Sequence, residues 1–351
     1  MSNNVYAAYS KNEKIRLESS SGAIFSLLAE SVLNVNGIIY GVTLSMDCRV
    51  AEYLRVDNKK ELPRLRGSKY LQAKVGDTYQ HVKTDLELGA IVLFSGTECQ
   101  INGLKNFLGK DYENLYCIDV ICHGVPSPKL WRKYVDYVEK QENSKLISVN
   151  FRCKKNGWID FGIKRIDANH KAMFISKDDD PYMLMFLRDY CLRPSCYECL
   201  AKQNKASDLT IADFWGIDML LPEMNDGKGC SLVIVRTEKG QGLFNSIISN
   251  IILKTVSYED GVKANPAEYS SARRPKERNR FYKDMNIMKF DELKAKYAGT
   301  IRISIKNKLK SFFKKIFIIK SKSNVGGVKD KNEMNASSYG LLFIFEEDIN
   351  L

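Results

Sequence analysis

The chain has 351 residues, of which 44% are hydrophobic and 27% are charged, a balance that is typical of a soluble globular protein and excludes a fibrous chain. It contains no uncharged apolar run of eighteen or more residues, so we expect no membrane-spanning helix. Residues 1–14 are polar and do not have the layout of a secretory signal, and we therefore expect a cytoplasmic protein.

The net charge of +12 is concentrated near the end of the chain. Residues 271–331 hold 19 of the 54 Lys and Arg residues but 5 of the 42 Asp and Glu residues, a local net charge of +14 that leaves −2 for the rest. Because the body is nearly neutral, we expect no binding to nucleic acid. Residues 301–320 alternate lysines with apolar residues, which predicts either peripheral contact with an anionic membrane or a solvated basic tail.

The first 145 residues alternate predicted strands and helices. Strands are predicted at 5–9, 37–42, 90–94 and 115–121, and helices at 23–33, 76–88, 102–108 and 129–140. The strand at 90–94 is apolar throughout, which is typical of a strand covered on both faces, and the strand at 115–121 is also expected to be buried. This alternation favours a layered α/β sheet.

The pattern changes beyond residue 145. Short strands are predicted at 147–152, 158–166, 209–214 and 231–235, with a helix at 243–253 and no coherent pattern after Asp284. We therefore expect an α/β fold with a layered mixed sheet and flanking helices, followed by a smaller strand-rich C-terminal part and a basic tail.

Nine cysteines are many for a cytoplasmic protein, and an odd number in a reducing compartment argues against a disulfide framework. Cys196 and Cys199 are spaced so that one turn can direct both thiolates at a metal centre. Cys99 and Cys122 each follow a predicted strand, where ligands gather at the carboxyl edge of an α/β sheet. The spacing leaves an iron–sulfur cluster, a zinc ion, a redox pair and simple packing open.

Three turns rich in glycine and hydroxyl groups, at residues 19–22, 67–70 and 95–97, are suited to phosphate. Each is also compatible with an ordinary helix cap. Three such turns together favour a nucleotide-like cofactor with a pyrophosphate. The sequence at 213–216, Asp-Phe-Trp-Gly, fits either a wall against a flat ring or the edge of the core.

Taken in order, these motifs resemble those of the beta subunit of coenzyme F-420 hydrogenase/dehydrogenase. The motifs that carry the resemblance are Ser-Ser-Ser-Gly at 19–22, Gly-Ser-Lys-Tyr at 67–70, Ser-Gly-Thr-Glu-Cys-Gln at 95–100, Ile-Cys-His-Gly-Val-Pro-Ser-Pro at 121–128, Phe-Arg-Cys-Lys-Lys-Asn-Gly-Trp at 151–158, Arg-Pro-Ser-Cys-Tyr-Glu-Cys at 193–199, the run at 207–216 and Gly-Lys-Gly-Cys-Ser-Leu at 227–232. The resemblance as a whole covers roughly residues 5–283.

The resemblance implies a flavoprotein that passes electrons between a 4Fe–4S cluster, FAD and an external hydride or electron carrier. The expected cluster ligands are Cys99, Cys122, Cys196 and Cys199. The expected flavin contacts are Ser20, Ser21, Gly22, Gly67, Ser68, Lys69, Tyr70, Gly96, Thr97 and His123. Residues 1–145 are then the α/β flavin-binding region, residues 146–284 are a strand-rich region that completes the iron–sulfur site, and residues 285–351 form a basic, partly helical or disordered tail. No catalytic residue is assigned.

Three departures from the family pattern bear on activity. Many bacterial relatives begin with a ferredoxin-like domain, and this chain has no such cysteine runs, so we expect a ferredoxin-like or other redox partner protein and a deazaflavin or nicotinamide carrier. Glu98 replaces a usual proline and makes an anionic cluster harder to reduce, while Ala23 replaces a second glycine and crowds a phosphate. An alternative function is a non-catalytic, zinc-stabilised partner-binding remnant in a surface-polysaccharide pathway.

Overall fold

The computed structural model describes residues 4–299, which contain twelve strands and eleven α-helices. The strands are β1 (Asn4–Ser10), β2 (Ile38–Leu44), β3 (Ala51–Val56), β4 (Ala73–Lys74), β5 (Val92–Thr97), β6 (Leu115–Val120), β7 (Leu146–Cys153), β8 (Gly162–Asp167), β9 (Ala172–Ser176), β10 (Leu209–Asp213), β11 (Ser231–Val235) and β12 (Ile251–Val256). The helices are α1 (Glu13–Glu18), α2 (Ile24–Asn34), α3 (Thr78–Glu87), α4 (Glu98–Leu108), α5 (Pro128–Glu142), α6 (Pro181–Leu187), α7 (Ile217–Leu220), α8 (Glu238–Asn245), α9 (Tyr258–Val262), α10 (Arg278–Ile287) and α11 (Phe290–Tyr297).

Nine strands form one mixed sheet in the order β12-β1-β11-β10-β6-β5-β2-β3-β4. Its centre is parallel, because β10 pairs with β6, β6 with β5, and β5 with β2 in that sense. The pairs β10–β11, β11–β1, β1–β12 and β2–β3 are antiparallel. The predicted α/β fold with a mixed sheet and flanking helices is therefore confirmed. The apolar strands β5 and β6 lie in the parallel centre, where helices cover both faces.

Strands β7, β8 and β9 form a second, antiparallel sheet, which agrees with the predicted smaller strand-rich part. The later strands β10, β11 and β12 instead join the large sheet, so this sheet takes strands from both sides of residue 145. All described residues belong to one compact unit. No helix in residues 4–299 is long and apolar enough to cross a membrane.

One prediction of local structure was wrong. The helix predicted at 243–253 does not form, because α8 ends at Asn245 and the apolar run that follows becomes β12, an edge strand on β1. After Asp284, where the sequence gives no coherent pattern, α11 buries Phe290, Leu293 and Tyr297 at helical spacing. The basic segment predicted at 301–320 lies outside the described residues.

Candidate functional site

Two of the predicted cysteine ligands follow neighbouring parallel strands. Thr97 ends β5 and pairs with Val120 at the end of β6, and Val120 pairs on its other side with Ile211 of β10. Cys99 and Cys122 come two residues after the first two of these positions. Because parallel strands present their carboxyl ends at one edge, both cysteines stand at the same edge of the sheet.

The loop that carries the other two cysteines is attached to the segment after Cys122. A β-bridge joins Pro126 to Leu192, and the amide of Val125 donates to the Cys196 thiol at 3.5 Å. Gly124 has φ +147°, and a Cβ at this position would lie 2.7 Å from the Leu192 side chain and 3.4 Å from Cβ of Cys196. Glycine is needed here because the two segments approach so closely.

Each of the four thiols is electrostatically coupled to at least one of the others. Burial raises the pKa of Cys122 to about 12; the Lys202 ammonium opposes this rise, and Cys196 and Cys99 add to it. Burial also raises the pKa of Cys196, to which Cys199 and Cys99 contribute. None of the four cysteines forms a disulfide; as whole residues Cys99 is exposed and the other three are half-buried, whereas Cys48, Cys117, Cys191 and Cys230 are buried.

The arrangement of these donors bears on the kind of metal centre they fit. Within residues 4–299, no three His, Cys, Asp or Glu side chains come close enough together to hold a single metal ion. A 4Fe–4S cluster binds each of its four thiolates to a different iron, so its ligands stand farther apart than those of one zinc ion.

Lys202 is a feature of this site that sequence reasoning missed. Its ammonium donates to the carbonyl oxygen of Cys122 at 2.5 Å and to that of Ala267. A single lysine in a polar loop gives no sequence signal, and its partners lie 80 and 65 residues away. The contact places a positive charge against the backbone of a predicted ligand.

A buried acidic pair lies behind Cys99. Glu98 is 4% exposed; its Oε1 accepts a hydrogen bond from the amide of Ala206, and its Oε2 has no partner among the described residues. Asp119 is fully buried, and its Oδ2 likewise has no hydrogen-bond donor in that part of the chain. Burial and the Glu98 carboxylate raise the pKa of Asp119 to about 7. Glu98, which replaces the proline usual in the family, is therefore buried inside the protein.

A hydrogen bond joins two of the three predicted phosphate turns. The amide of Ser68 donates to Oγ of Ser20 at 2.8 Å, and the two hydroxyl oxygens are 3.1 Å apart. Both side chains are half-buried. The turns at 19–22 and 67–70, 48 residues apart, thus form one continuous surface.

Several predicted phosphate contacts are instead engaged within the protein. Oγ of Ser21 donates to the carbonyl of Cys230 at 2.7 Å, and the amide of Gly22 donates to Oγ of Ser231 at 2.9 Å. The Lys69 ammonium donates to three backbone carbonyls, at residues 64, 65 and 66. These groups shape the turns, and the Ser20 and Ser68 hydroxyls lie beside each other where the two turns meet.

The entry into α2 explains two residues of the first turn. A Cβ at Gly22 would lie 2.4 Å from the carbonyl oxygen of Ala8, so only glycine fits against β1. Ala23 is buried in the left-handed conformation, with φ +70°, which an alanine adopts at a cost of roughly 1–2 kcal/mol. No side chain caps α2, so its first amides keep their donor capacity and the positive end of the helix dipole.

The third predicted turn, at residues 95–97, lies beside Cys99. Thr97 caps α4 together with Gln100, and its hydroxyl is 3.2 Å from Sγ of Cys99. A Cβ at Gly96 would lie 2.4 Å from the buried Tyr53 hydroxyl, which has no partner within residues 4–299.

An ion pair and two stacked tryptophans form a wall near Tyr70. The Arg152 guanidinium donates to Oδ1 of Asp213 at 2.8 Å, as does Nε1 of Trp158 at 2.7 Å. Trp158 stacks on Trp215 with ring centroids 5.1 Å apart. Nε of Arg152 is buried and has no partner in the described part of the chain. Burial raises the pKa of Tyr70, and Arg152 lowers it.

Aromatic contacts connect the turn at 67–70 with the cysteines. The Tyr70 and Phe186 rings lie 5.1 Å apart, and Phe186 meets the edge of the His123 ring at 5.6 Å. His123 follows Cys122 directly and hydrogen bonds through Nε2 to Asp189 at 2.5 Å. Phe186 therefore packs between the two groups of predicted site residues.

The chain matches one protein family and is similar in fold to a solved structure. Residues 90–261 match the family model that describes the C terminus of the beta subunit of coenzyme F420 hydrogenase/dehydrogenase. No curated protein sequence matches the chain. The solved structure is a chain of the F420-reducing NiFe hydrogenase complex from Methanosarcina barkeri, determined as a xenon derivative. The two chains superpose with a TM-score of 0.50 at 13% sequence identity, and the alignment covers 76% of this chain and 87% of the other. At this identity the similarity is one of fold.

Proposed function

Because the chain belongs, through residues 90–261, to the coenzyme F420 hydrogenase/dehydrogenase beta subunit family, we propose that it is the flavin- and cluster-binding subunit of an oxidoreductase. In this proposal Cys99, Cys122, Cys196 and Cys199 hold a 4Fe–4S cluster. FAD lies on the joined turns at 19–22 and 67–70. Electrons pass between the cluster, the flavin and an external hydride or electron carrier.

The observation that carries the proposal is the position of Phe186. Its ring contacts Tyr70, in one flavin-binding turn, and His123, the neighbour of a cluster ligand. Residues assigned to the two cofactors are thus joined through the single ring of Phe186. An electron-transfer subunit would need its cofactors close together, whereas a scaffold without cofactors would not.

On the cluster side, the residues of this chain provide ligands and charge. When bound, the cluster exchanges single electrons and the flavin exchanges one or two. Lys202 supplies a positive charge at the Cys122 backbone, which stabilises negative charge gained on reduction. Thr97 orients the Cys99 thiol through the contact at 3.2 Å.

On the flavin side, the residues bind the phosphates and the ring. The uncapped start of α2, together with the Ser20 and Ser68 hydroxyls, offers donors to an anionic pyrophosphate. Nε of Arg152, which has no partner within residues 4–299, and the Tyr70 hydroxyl would offer further polar contacts. Trp215 adds a flat apolar face.

Anaerobic purification and reconstitution test the proposal. We expect a brown-yellow protein with about four irons and one FAD per chain, measured by metal analysis and by the absorbance of released flavin. The matched control is Cys153→Ser, which changes a half-buried cysteine outside the proposed set. Zinc without flavin would instead favour a partner-binding scaffold, and a protein without metal or flavin would contradict both functions.

A further inference from the structure

We propose that one surface beside the cysteine loop docks an acidic one-electron carrier protein of the ferredoxin class. The proposal rests on the proposed function, because the docked carrier must exchange electrons with the four-cysteine centre. The surface is defined by Leu200 and Tyr269 with Arg193, Arg273, Arg274 and Lys276, and we call it the Arg273 face.

Two chain segments lie side by side to build this face. The amide of Cys199 donates to Oγ of Ser271 at 2.9 Å, and the Lys202 ammonium donates to the carbonyl of Ala267. Farther along, the Arg278 guanidinium donates to the carbonyl of Leu192 at 3.0 Å. The segment at 267–278 therefore runs antiparallel to the segment at 192–202, and their exposed side chains share one surface.

The rim of the Arg273 face is positively charged. Its four basic residues are exposed, and none forms an ion pair with another residue between 4 and 299. The exposed acidic residues in the same two segments are Glu198 and Glu277. Elsewhere the body pairs many of its cations, as Arg16 does with Asp226 at 2.6 Å. Free cations gathered at one place favour an acidic partner.

The face also carries two large exposed apolar side chains, one of which directly follows a proposed ligand. Leu200 is 73% exposed and Tyr269 is 53% exposed. Leu200 directly follows Cys199, which is itself partly exposed. Small, short-lived interfaces combine an apolar centre with a charged rim that steers encounter. A carrier seated here would stand against the cluster without any further relay.

Charge and electron balance select the partner class. In one encounter a single electron leaves the reduced carrier and enters the four-cysteine centre, so the carrier is oxidised and this chain reduced by one electron, and no atom is transferred. Two encounters supply the electron pair that the flavin passes on. Ferredoxins are small acidic proteins that carry single electrons, which matches both the charge of the face and the required stoichiometry.

The test uses the reconstituted full-length protein and a reduced, two-cluster bacterial-type ferredoxin freed of excess dithionite. Stopped-flow absorbance gives the second-order rate constant for electron transfer over a range of salt concentrations. The test variant is Arg273→Glu/Arg274→Glu. The charge-reversal control is Lys59→Glu/Lys60→Glu, at exposed lysines on the β3 side of the sheet, and the conservative control is Arg273→Lys/Arg274→Lys.

We expect the wild-type rate constant to fall steeply with salt, and the Arg273→Glu/Arg274→Glu variant to be at least about tenfold slower at low salt. Both controls should match the wild type, and all four proteins should take up equal numbers of electrons in a dithionite titration. A rate that is insensitive to salt and equal in all four, with iron and flavin intact, would overturn the docking surface alone. A wild-type protein without iron and flavin would overturn the proposed function and this inference together.

Discussion

The hydroxyl of Ser20 accepts a hydrogen bond from the amide of Ser68 at 2.8 Å, and through it two distant turns become one surface. Neither turn alone distinguishes a ligand site from a helix cap. Their contact places two hydroxyls beside the uncapped start of α2, where an anion is favoured.

Replacing Ser20 by alanine should weaken FAD binding. The change removes the acceptor of the Ser68 amide and one hydroxyl from the joined turns, a loss of about 1 kcal/mol or roughly fivefold in the dissociation constant. Fluorescence titration of the apoprotein with FAD measures it. Ser31→Ala is the control, because this hydroxyl bonds to Leu28 within α2. If the wild type, Ser20→Ala and Ser31→Ala bound FAD with equal affinity, the joined turns would not be part of the flavin site.

Replacing Cys196 by serine should reduce the iron content well below that of the wild type. A serine hydroxyl is a poor substitute for thiolate in an iron–sulfur cluster, and the remaining ligands hold the cluster weakly. Iron analysis and visible absorbance measure the loss, with Cys153→Ser as the matched control. Full iron content in Cys196→Ser would exclude this thiol from the ligand set.

Replacing Gly22 by alanine should destabilise the protein by at least about 2 kcal/mol. A Cβ there would meet the Ala8 carbonyl at 2.4 Å and the Ser231 amide at 2.9 Å, and both are backbone atoms held in the sheet. Gly242→Ala is the control, because a Cβ in this part of α8 meets nothing within 4 Å and should stabilise the helix by up to about 1 kcal/mol. Denaturant unfolding compares them, and equal midpoints would refute the close approach.

The free energy of unfolding should depend on pH through Asp119. Its pKa in the folded chain is raised from 3.8 to about 7, so the fold favours the neutral carboxyl. This contribution is fully present below about pH 4 and is lost as the pH rises through 7. The wild type should therefore lose stability between these values, by at most about 1.4 kcal/mol per pH unit.

The comparison for this prediction is Asp119→Asn, which keeps an acceptor for the Ser207 hydroxyl but does not titrate. Denaturant unfolding at several pH values should show that the variant lacks this part of the slope. Asp218→Asn, at an exposed position, should retain it. If all three proteins showed the same dependence of unfolding free energy on pH, a group other than Asp119 would be responsible for it.

Local sequence patterns predicted the two central strands β5 and β6 and placed Cys99 and Cys122 just after them. Both strands begin with buried apolar residues, and the residues that follow parallel strands lie at their carboxyl edge. The helix predicted at 243–253 failed because an apolar run at an edge is decided by its partner, here β1. Antiparallel pairing across more than 200 residues leaves no local pattern.

By itself, the sequence determined which residue types were available: four spaced thiols, three glycine- and hydroxyl-rich turns and an apolar sheet centre. The tertiary structure decided how they are used. It turned Lys69 and Ser21 onto backbone carbonyls, joined Ser20 to Ser68, and brought Lys202 to the Cys122 carbonyl. The physical reason is that a buried donor must find an acceptor wherever the packed chain supplies one, and such partners are set by the fold rather than by neighbours in sequence.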